Sequence, residues 1–327
     1  MDRVLGMGNA LVDVMTRLTD DKLLDEFSLP KGSMQLVSKE FSNRLMAYTL
    51  GLERSQSSGG SAANTIHGLA NLGIETAFVG KIGRDNMGEF FQRDLEENNI
   101  IPLLFHDLEE TGRSIALVSP DSERTFATFL GAAVDLHEED IDSDLYEGYD
   151  YFYIEGYLVQ NRVLFEKALR LAKLHKLTVV LDLASYNVVS DNRKFLYGTV
   201  KRYVDILLAN EQEAEALTGK PSGQALEELS RIARIAVVKL GVKGSRIRSG
   251  KEQQSIGIFK AEAVDTTGAG DLYAAGFLYG LCRGKDLSVC GELGALLGGS
   301  VTEVMGAKMD DSQWDRVKEK VKEICGC

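Results

Sequence analysis

The chain has 327 residues, 44% of them hydrophobic, enough to bury the core of one large α/β domain or two smaller ones. Its 37 lysines and arginines against 49 aspartates and glutamates give a formal net charge of −12. That balance argues against a nucleic-acid or anionic-membrane partner, because a polyanion requires a basic footprint. A small molecule or another protein subunit is the expected partner.

Residues 1–15 lack the basic segment, long apolar run and small-residue cleavage site of a signal peptide. No apolar stretch approaches the roughly 20 residues needed to cross a bilayer. A cytoplasmic protein is expected. The first strand-like run ends at Gly8, Asn9 and, four residues on, Asp13. Asn9 and Asp13 supply an amide and a carboxylate, a common pair for adjacent hydroxyls. Gly6 and Gly8 superficially suggest a dinucleotide fingerprint, but Leu11 stands where the third glycine belongs, which rejects it. Short strand-like alternation continues to about residue 38.

The run Gly59-Gly60-Ser61-Ala62-Ala63-Asn64 precedes an apolar helix through Leu72 and a turn at Gly73. Paired glycines let backbone approach a ligand closely, and Asn64 in the first helical turn can bond a hydroxyl. The plainer alternative is a flexible loop entering a helix. Apolar β-rich runs recur at residues 76–79, 151–154, 177–181, 206–208 and 235–240, with helix-like segments such as 164–175 between them. Continuous apolar strands alternating with helices predict a mostly parallel central sheet covered on both faces. Ligands bind beyond the carboxyl ends of such strands. Residues 105–131 break the rhythm, and Arg124 to Phe129 alternates like a strand exposed on one face. Together with residues 11–38 they are expected to form a small β lid on a single domain spanning 1–327.

Asn210 and Glu213 follow a strand directly, where an amide and a carboxylate can order magnesium-bound waters; the alternative is the capped start of a helix. Gly241 and Gly244 leave room for a nucleotide, or merely turn a hairpin. The strongest local signal is Asp265-Thr-Thr-Gly-Ala-Gly-Asp-Leu-Tyr-Ala-Ala-Gly276. Gly268, Ala269 and Gly270 can expose backbone N–H groups at the start of an apolar helix, a ready anion site for a phosphoryl group. Asp271 can accept a proton from an attacking hydroxyl, or can simply cap the helix. No Gly-Lys-Ser/Thr follows, so this is not a Walker A loop. Cys282, Cys290, Cys325 and Cys327 cluster late and do not form a disulfide framework of the secreted type; the terminal Cys-Gly-Cys reads as a frayed tail.

These motifs, in this order, resemble the PfkB carbohydrate kinases, the ribokinase-like family, over nearly the whole chain. Residues 59–73 look like the family's first signature, residues 265–276 like its second, and residues 78–88 also fit its pattern. The resemblance implies a ribokinase-like α/β fold and an ATP-dependent phosphotransferase acting on an alcohol group. By the same resemblance Asp271 is the base, Gly268, Ala269 and Gly270 form the anion hole, and Arg124 reaches the transferred phosphate when the lid closes. Asn9, Asp13, Gly60 and Asn64 would hold substrate hydroxyls. Asn210, Glu213, Gly241 and Gly244 would serve ATP, with Glu213 holding Mg²⁺ through water. The backbone from Asp265 to Thr267 and the Gly306 loop resemble a potassium site found in many members, although not all.

Within the family the resemblance leans toward adenosine kinases. Ser61 stands where ribokinases usually carry lysine, and residues 23–29, Arg124-Thr-Phe and Leu130-Gly-Ala-Ala133 look like that branch. Residues 182–187, Asp-Leu-Ala-Ser-Tyr-Asn, lack the Pro-Phe step that helps sandwich the base in several adenosine kinases. The expected substrate is a nucleoside, adenosine first, with ribose, fructose or a ketodeoxy sugar acid as alternatives. A silent ligand-binding protein would have lost Asp271 or the glycine run, and both are present. Lid edges could pair two subunits as a homodimer.

Overall fold

A computed structural model describes residues 2–121 and 123–326. Cys327 lies outside them, while Cys325 closes the last helix, Asp311–Cys325, and Gly326 caps it at φ +67°.

Nine strands form one large sheet. In spatial order they are Glu252–Ile256, Ser245–Ser249, Ile235–Lys239, Ile206–Asn210, Thr178–Asp182, Tyr151–Glu155, Arg3–Met7, Glu75–Gly83 and Ile100–Asp107. All neighbours run parallel except the two pairings made by Ser245–Ser249. The strands are apolar on both sides because both faces are covered. Val180, Leu208 and Val237 point into one core, shared with Phe277 and Leu293 of the helices Ala269–Cys282 and Leu287–Ser300. Their neighbours Val179, Leu181, Leu207 and Val238 point into the other, shared with Phe165 and Leu169 of helix Arg162–Leu174. The two-residue period of a strand thus feeds two cores at once. Helix Ala269–Cys282 is apolar all round and packs backbone to backbone on its neighbour. A Cβ on Gly276 would lie 2.2 Å from the Leu293 carbonyl oxygen.

Five strands form a second, smaller sheet, ordered Met34–Leu36, Arg124–Phe129, Gly112–Val118, Leu11–Arg17 and Arg54–Gly59. Its outer side carries its own core of Leu24, Phe27, Leu45, Ile115 and Leu117. Its bounds differ from those read in the sequence. Strand Arg54–Gly59 belongs to it although Arg-Ser-Gln-Ser-Ser-Gly shows no apolar alternation; ladder bonds to Leu11–Arg17 hold it instead. Residues 105–107 belong to the edge strand of the large sheet, paired with residues 81–83.

Candidate active site

The carboxyl ends of the central strands and the small sheet together enclose a cavity of about 1720 Å³. Asp271 lines it, as the third residue of helix Ala269–Cys282; the cap is Gly268, at φ +74°. Asp271 is therefore not the N-cap. Its carboxylate turns across to helix Ser61–Asn71, where Ser61 Oγ donates to Oδ1 (2.7 Å) and Asn64 Nδ2 to Oδ2 (3.0 Å). Burial pushes its pKa up, the two hydrogen bonds pull it back, and the nearby Asp182 charge adds to the rise, leaving it above the ordinary carboxylate range. A carboxylate held only by neutral donors in a low-dielectric site is a stronger proton acceptor than one paired with a cation.

Beside it stands the helix N-terminus. The Ala269 N–H closes back on the Thr266 carbonyl at 3.2 Å, so that donor faces a turn. The N–H groups of Gly268 and Gly270 have no protein acceptor among the described residues. Gly270 lines the cavity together with Thr267 and Ala269 and brings the partial positive charge of the helix end to it; Gly268 lies off the cavity wall.

Toward one pole, Asn210 and Glu213 line the cavity and also build the cap of helix Glu211–Thr218. Glu213 Oε2 accepts the Asn210 N–H (2.8 Å), Oε1 accepts Asn210 Nδ2 (2.7 Å), and Asn210 Oδ1 accepts the Glu213 N–H (2.9 Å). The helix-cap alternative holds, and the same two residues border the cavity. Burial raises the Glu213 pKa, opposed by the Lys239 charge. Gly241 and Gly244 form the turn between strands Ile235–Lys239 and Ser245–Ser249, and both border the cavity. At Gly244, φ +84°, a Cβ would fall 1.9 Å from the Ile256 carbonyl oxygen, so only glycine fits.

Toward the other pole lie Asn9, Asp13 and Gly60. Gly60 sits at φ +97°, where a Cβ would strike the Asn9 carbonyl oxygen at 2.2 Å. Burial lifts the Asp13 pKa to about 7, opposed by the Lys308 charge. Asn64 is placed differently from the other three: it stands behind Asp271 rather than on the cavity wall.

Arg124, Asp265, Thr267 and Gly306 come together as one cluster. The Arg124 guanidinium is ion-paired with Asp265 and donates to Thr267 Oγ1 (2.9 Å) and toward Met305 Sδ (3.2 Å). The Asp265 carboxylate also accepts the N–H groups of Thr267 and Gly306. Arg124 and Asp265 are both buried, and neither lines the cavity. Arg124 thus braces the loop behind the helix end instead of facing the space where a phosphate would pass. Asp265 does not fit a potassium ion, because a guanidinium already neutralises it and a second cation would be repelled.

Three residues not singled out as site residues in the sequence belong here. Glu155 is fully buried at the end of strand Tyr151–Glu155, with Oε1 on the Asn9 N–H and Oε2 on the Ala62 N–H, both at 2.8 Å. It ties the two substrate-side segments together, and burial lifts its pKa to about 7. Asp182 and Lys239 end apolar strands on either side of Ile206–Asn210 and form a buried ion pair of 2.7 Å. All three are polar residues closing an apolar run, the signal that drew attention to Asn210.

An anion-binding helix end beside a fixed carboxylate, at the carboxyl edge of a parallel sheet, defines a phosphotransferase for small alcohols. Residues 40–314 match the pfkB family carbohydrate kinases. The fold superimposes on an adenosine kinase from Sinorhizobium meliloti (TM-score 0.87, 35% identity, 98% and 99% of the two chains covered). It superimposes equally on a probable sugar kinase from Rhizobium etli (TM-score 0.88, 32% identity, 98% of each chain). A 5-dehydro-2-deoxygluconokinase from Bacillus subtilis is 26% identical over 325 residues, covering 93% of this chain and 97% of that one. The chain belongs to the pfkB family, whose members phosphorylate sugars or nucleosides.

ATP and Mg²⁺ are implied by the family. The glycine-lined pole and the open helix N–H groups fit a polyphosphate. Among the described residues no group of three or more His, Cys, Asp or Glu side chains is arranged to hold a metal. The carboxylate of Glu213, engaged in its cap, fits an ion reached through water.

Proposed function

We propose that this protein transfers the γ-phosphoryl group of ATP to a primary hydroxyl of a nucleoside or sugar, adenosine-like first, with Asp271 as the base. The observation that carries the reading is the Asp271 carboxylate, fixed by Ser61 and Asn64 beside the open helix end. The acceptor lies toward Asn9, Asp13 and Gly60, and ATP toward Asn210, Gly241 and Gly244. Mg²⁺ supplies charge neutralisation on the triphosphate oxygens. Asp271 takes the hydroxyl proton, Gly270 offers its N–H group to the transferring phosphoryl, and the small sheet acts as a lid that excludes water.

The choice of a nucleoside rests on the apolar lining residues Met34, Leu36, Phe126, Leu130 and Leu136, the first three on the same small sheet as Asp13. A free sugar would leave that apolar surface without a partner, whereas a heterocyclic base would cover it. Initial rates with adenosine, ribose, fructose and a ketodeoxy sugar acid at equal concentration test this. The nucleoside reading fails if a free sugar turns over faster than adenosine, and the kinase reading fails if no alcohol is phosphorylated.

A further inference from the structure

Transfer of a phosphoryl group concentrates negative charge, and the cavity supplies little positive charge to meet it. Ser61 is neutral, and Arg124 is bound to Asp265 behind the cavity. Of the other cations among the described lining residues, Arg162 and Lys260 are exposed. Lys239 is the exception. Its side chain is 16% exposed, and its ammonium lies 2.7 Å from Asp182 Oδ2, itself on a side chain only 3% exposed. The same ammonium lies 3.3 Å from the point where a Cβ on Gly270 would sit. The absent side chain of Gly270 thus leaves the space through which the lysine approaches the open helix end.

The sheet explains how it gets there. Asp182 is paired in register with Glu155 on one side and with Leu208 on the other; Asn210, two residues further along that strand, is paired with Lys239. One carboxyl edge therefore displays Glu155, Asp182, Asn210 and Lys239 in sequence, with the single cation at the nucleotide end. We infer that Lys239 is a catalytic residue that binds a non-bridging oxygen of the phosphoryl group in flight, and that Asp182 aims it. This rests on the kinase reading above and adds to it a charged group that the anion hole lacks.

In the step itself, the bond from the γ-phosphorus to the β–γ bridging oxygen breaks and its electron pair leaves on ADP. A bond from phosphorus to the acceptor oxygen forms, and the hydroxyl proton passes to Asp271. Lys239 makes no covalent bond and keeps its proton. Burial alone would lower its pKa, but the Asp182 and Glu213 carboxylates outweigh that and hold it above the ordinary lysine value. A short ammonium contact is worth most where water is excluded.

The competing account is a purely structural ion pair. Removing one partner of a buried pair is costly, while removing both is often nearly neutral, so the double variant separates the two. Stability, turnover and affinity for MgADP with aluminium fluoride and adenosine, a mimic of the transferring phosphoryl, would be measured for Lys239→Met, Lys239→Arg and Lys239→Met/Asp182→Asn. In Lys239→Met, turnover and affinity for the mimic are expected to fall about 10²–10³-fold, with affinity for MgADP alone changed less than about threefold. The double variant should regain stability without regaining either loss, and Lys239→Arg should recover part of both. Recovery of turnover and mimic affinity in the double variant would overturn the inference, as would unchanged mimic affinity in a folded Lys239→Met protein or a folded Lys239→Arg protein no better than Lys239→Met. The mimic needs no base. Failure of the Asp271 assignment would appear separately, as normal turnover in Asp271→Asn.

Discussion

Asp265, on the loop before helix Ala269–Cys282, and Asp271, in the first turn of that helix, lie six residues apart and are held in opposite ways. Asp265 is buried against a cation, Arg124 of the small sheet, and accepts two backbone N–H groups. Asp271 receives only the hydroxyl of Ser61 and the amide of Asn64, and burial leaves its pKa raised. A carboxylate bound to a cation has its charge neutralised and its proton affinity lowered; one given neutral donors keeps both available. The first is therefore built to hold the backbone in place, and the second is left available for the proposed role of base.

The sharpest way to break this contrast is Asp271→Asn. The amide keeps the size and can still meet Ser61 and Asn64, so the fold should persist. It cannot take the hydroxyl proton, and turnover is expected to fall about 10²–10⁴-fold with substrate and ATP affinities little changed. Near-normal turnover in a stably folded protein would remove the base from the mechanism.

At the other end, Arg124→Ala leaves the Asp265 carboxylate buried without its cation. Removing one member of a buried pair costs about 3–5 kcal/mol, read as a shift in the urea midpoint. A loss this large accompanied by a fall in turnover, with ATP affinity kept, fits a brace for the helix end. A fully stable variant with weakened ATP binding alone would make Arg124 a docking charge instead.

A smaller effect should follow from the neutral donors themselves. Each bond from Ser61 and Asn64 favours the ionised form of Asp271 and so lowers its pKa. Ser61→Ala should therefore raise that pKa and move the acidic limb of the turnover profile to higher pH. On the acidic limb itself, loss of a charged-acceptor bond of about 1.5 kcal/mol corresponds to roughly a tenfold fall in turnover. A profile that stays in place, or moves to lower pH, would mean that Ser61 does not touch the reacting carboxylate.

The contrast between the two aspartates was only half legible in the sequence. The alternation of apolar runs and helices was enough for the central sheet, because two-sided burial leaves continuous apolar strands. The run from Asp265 to Gly276 marked the helix end, because small residues and an aspartate before an apolar helix have few other uses. What Asp265 touches was not legible, since its partner comes from a strand some 140 residues earlier and polar pairing leaves no periodicity. The same holds for Lys239 and Asp182, single charges closing apolar runs, whose meaning depends on which strands lie side by side. Strand Arg54–Gly59 escaped for a related reason: with residues 54–57 all partly or fully exposed, its place is set by backbone bonds rather than by an apolar face.

The smallest expected effect is also the one that most directly tests what Asp265 is for. Its family resemblance points to a potassium site formed with Thr267 and the Gly306 loop, which would make activity rise with K⁺. In this chain Arg124 contributes its guanidinium to those same loops, contacting Asp265, Thr267 and Met305. Gly306 gives its N–H to the same carboxylate, which ties its loop to Asp265. A mobile cation would have to share one carboxylate with a fixed one, at a distance where like charges repel strongly in a buried setting. Wild-type rates in matched sodium and potassium buffers should therefore agree within error. The comparison sharpens in Arg124→Ala, where the vacated carboxylate has room for an ion and potassium should restore part of the lost turnover. Strong potassium activation of the wild type would mean that the Arg124–Asp265 pair opens during the reaction, and that the two aspartates are less different than their contacts make them.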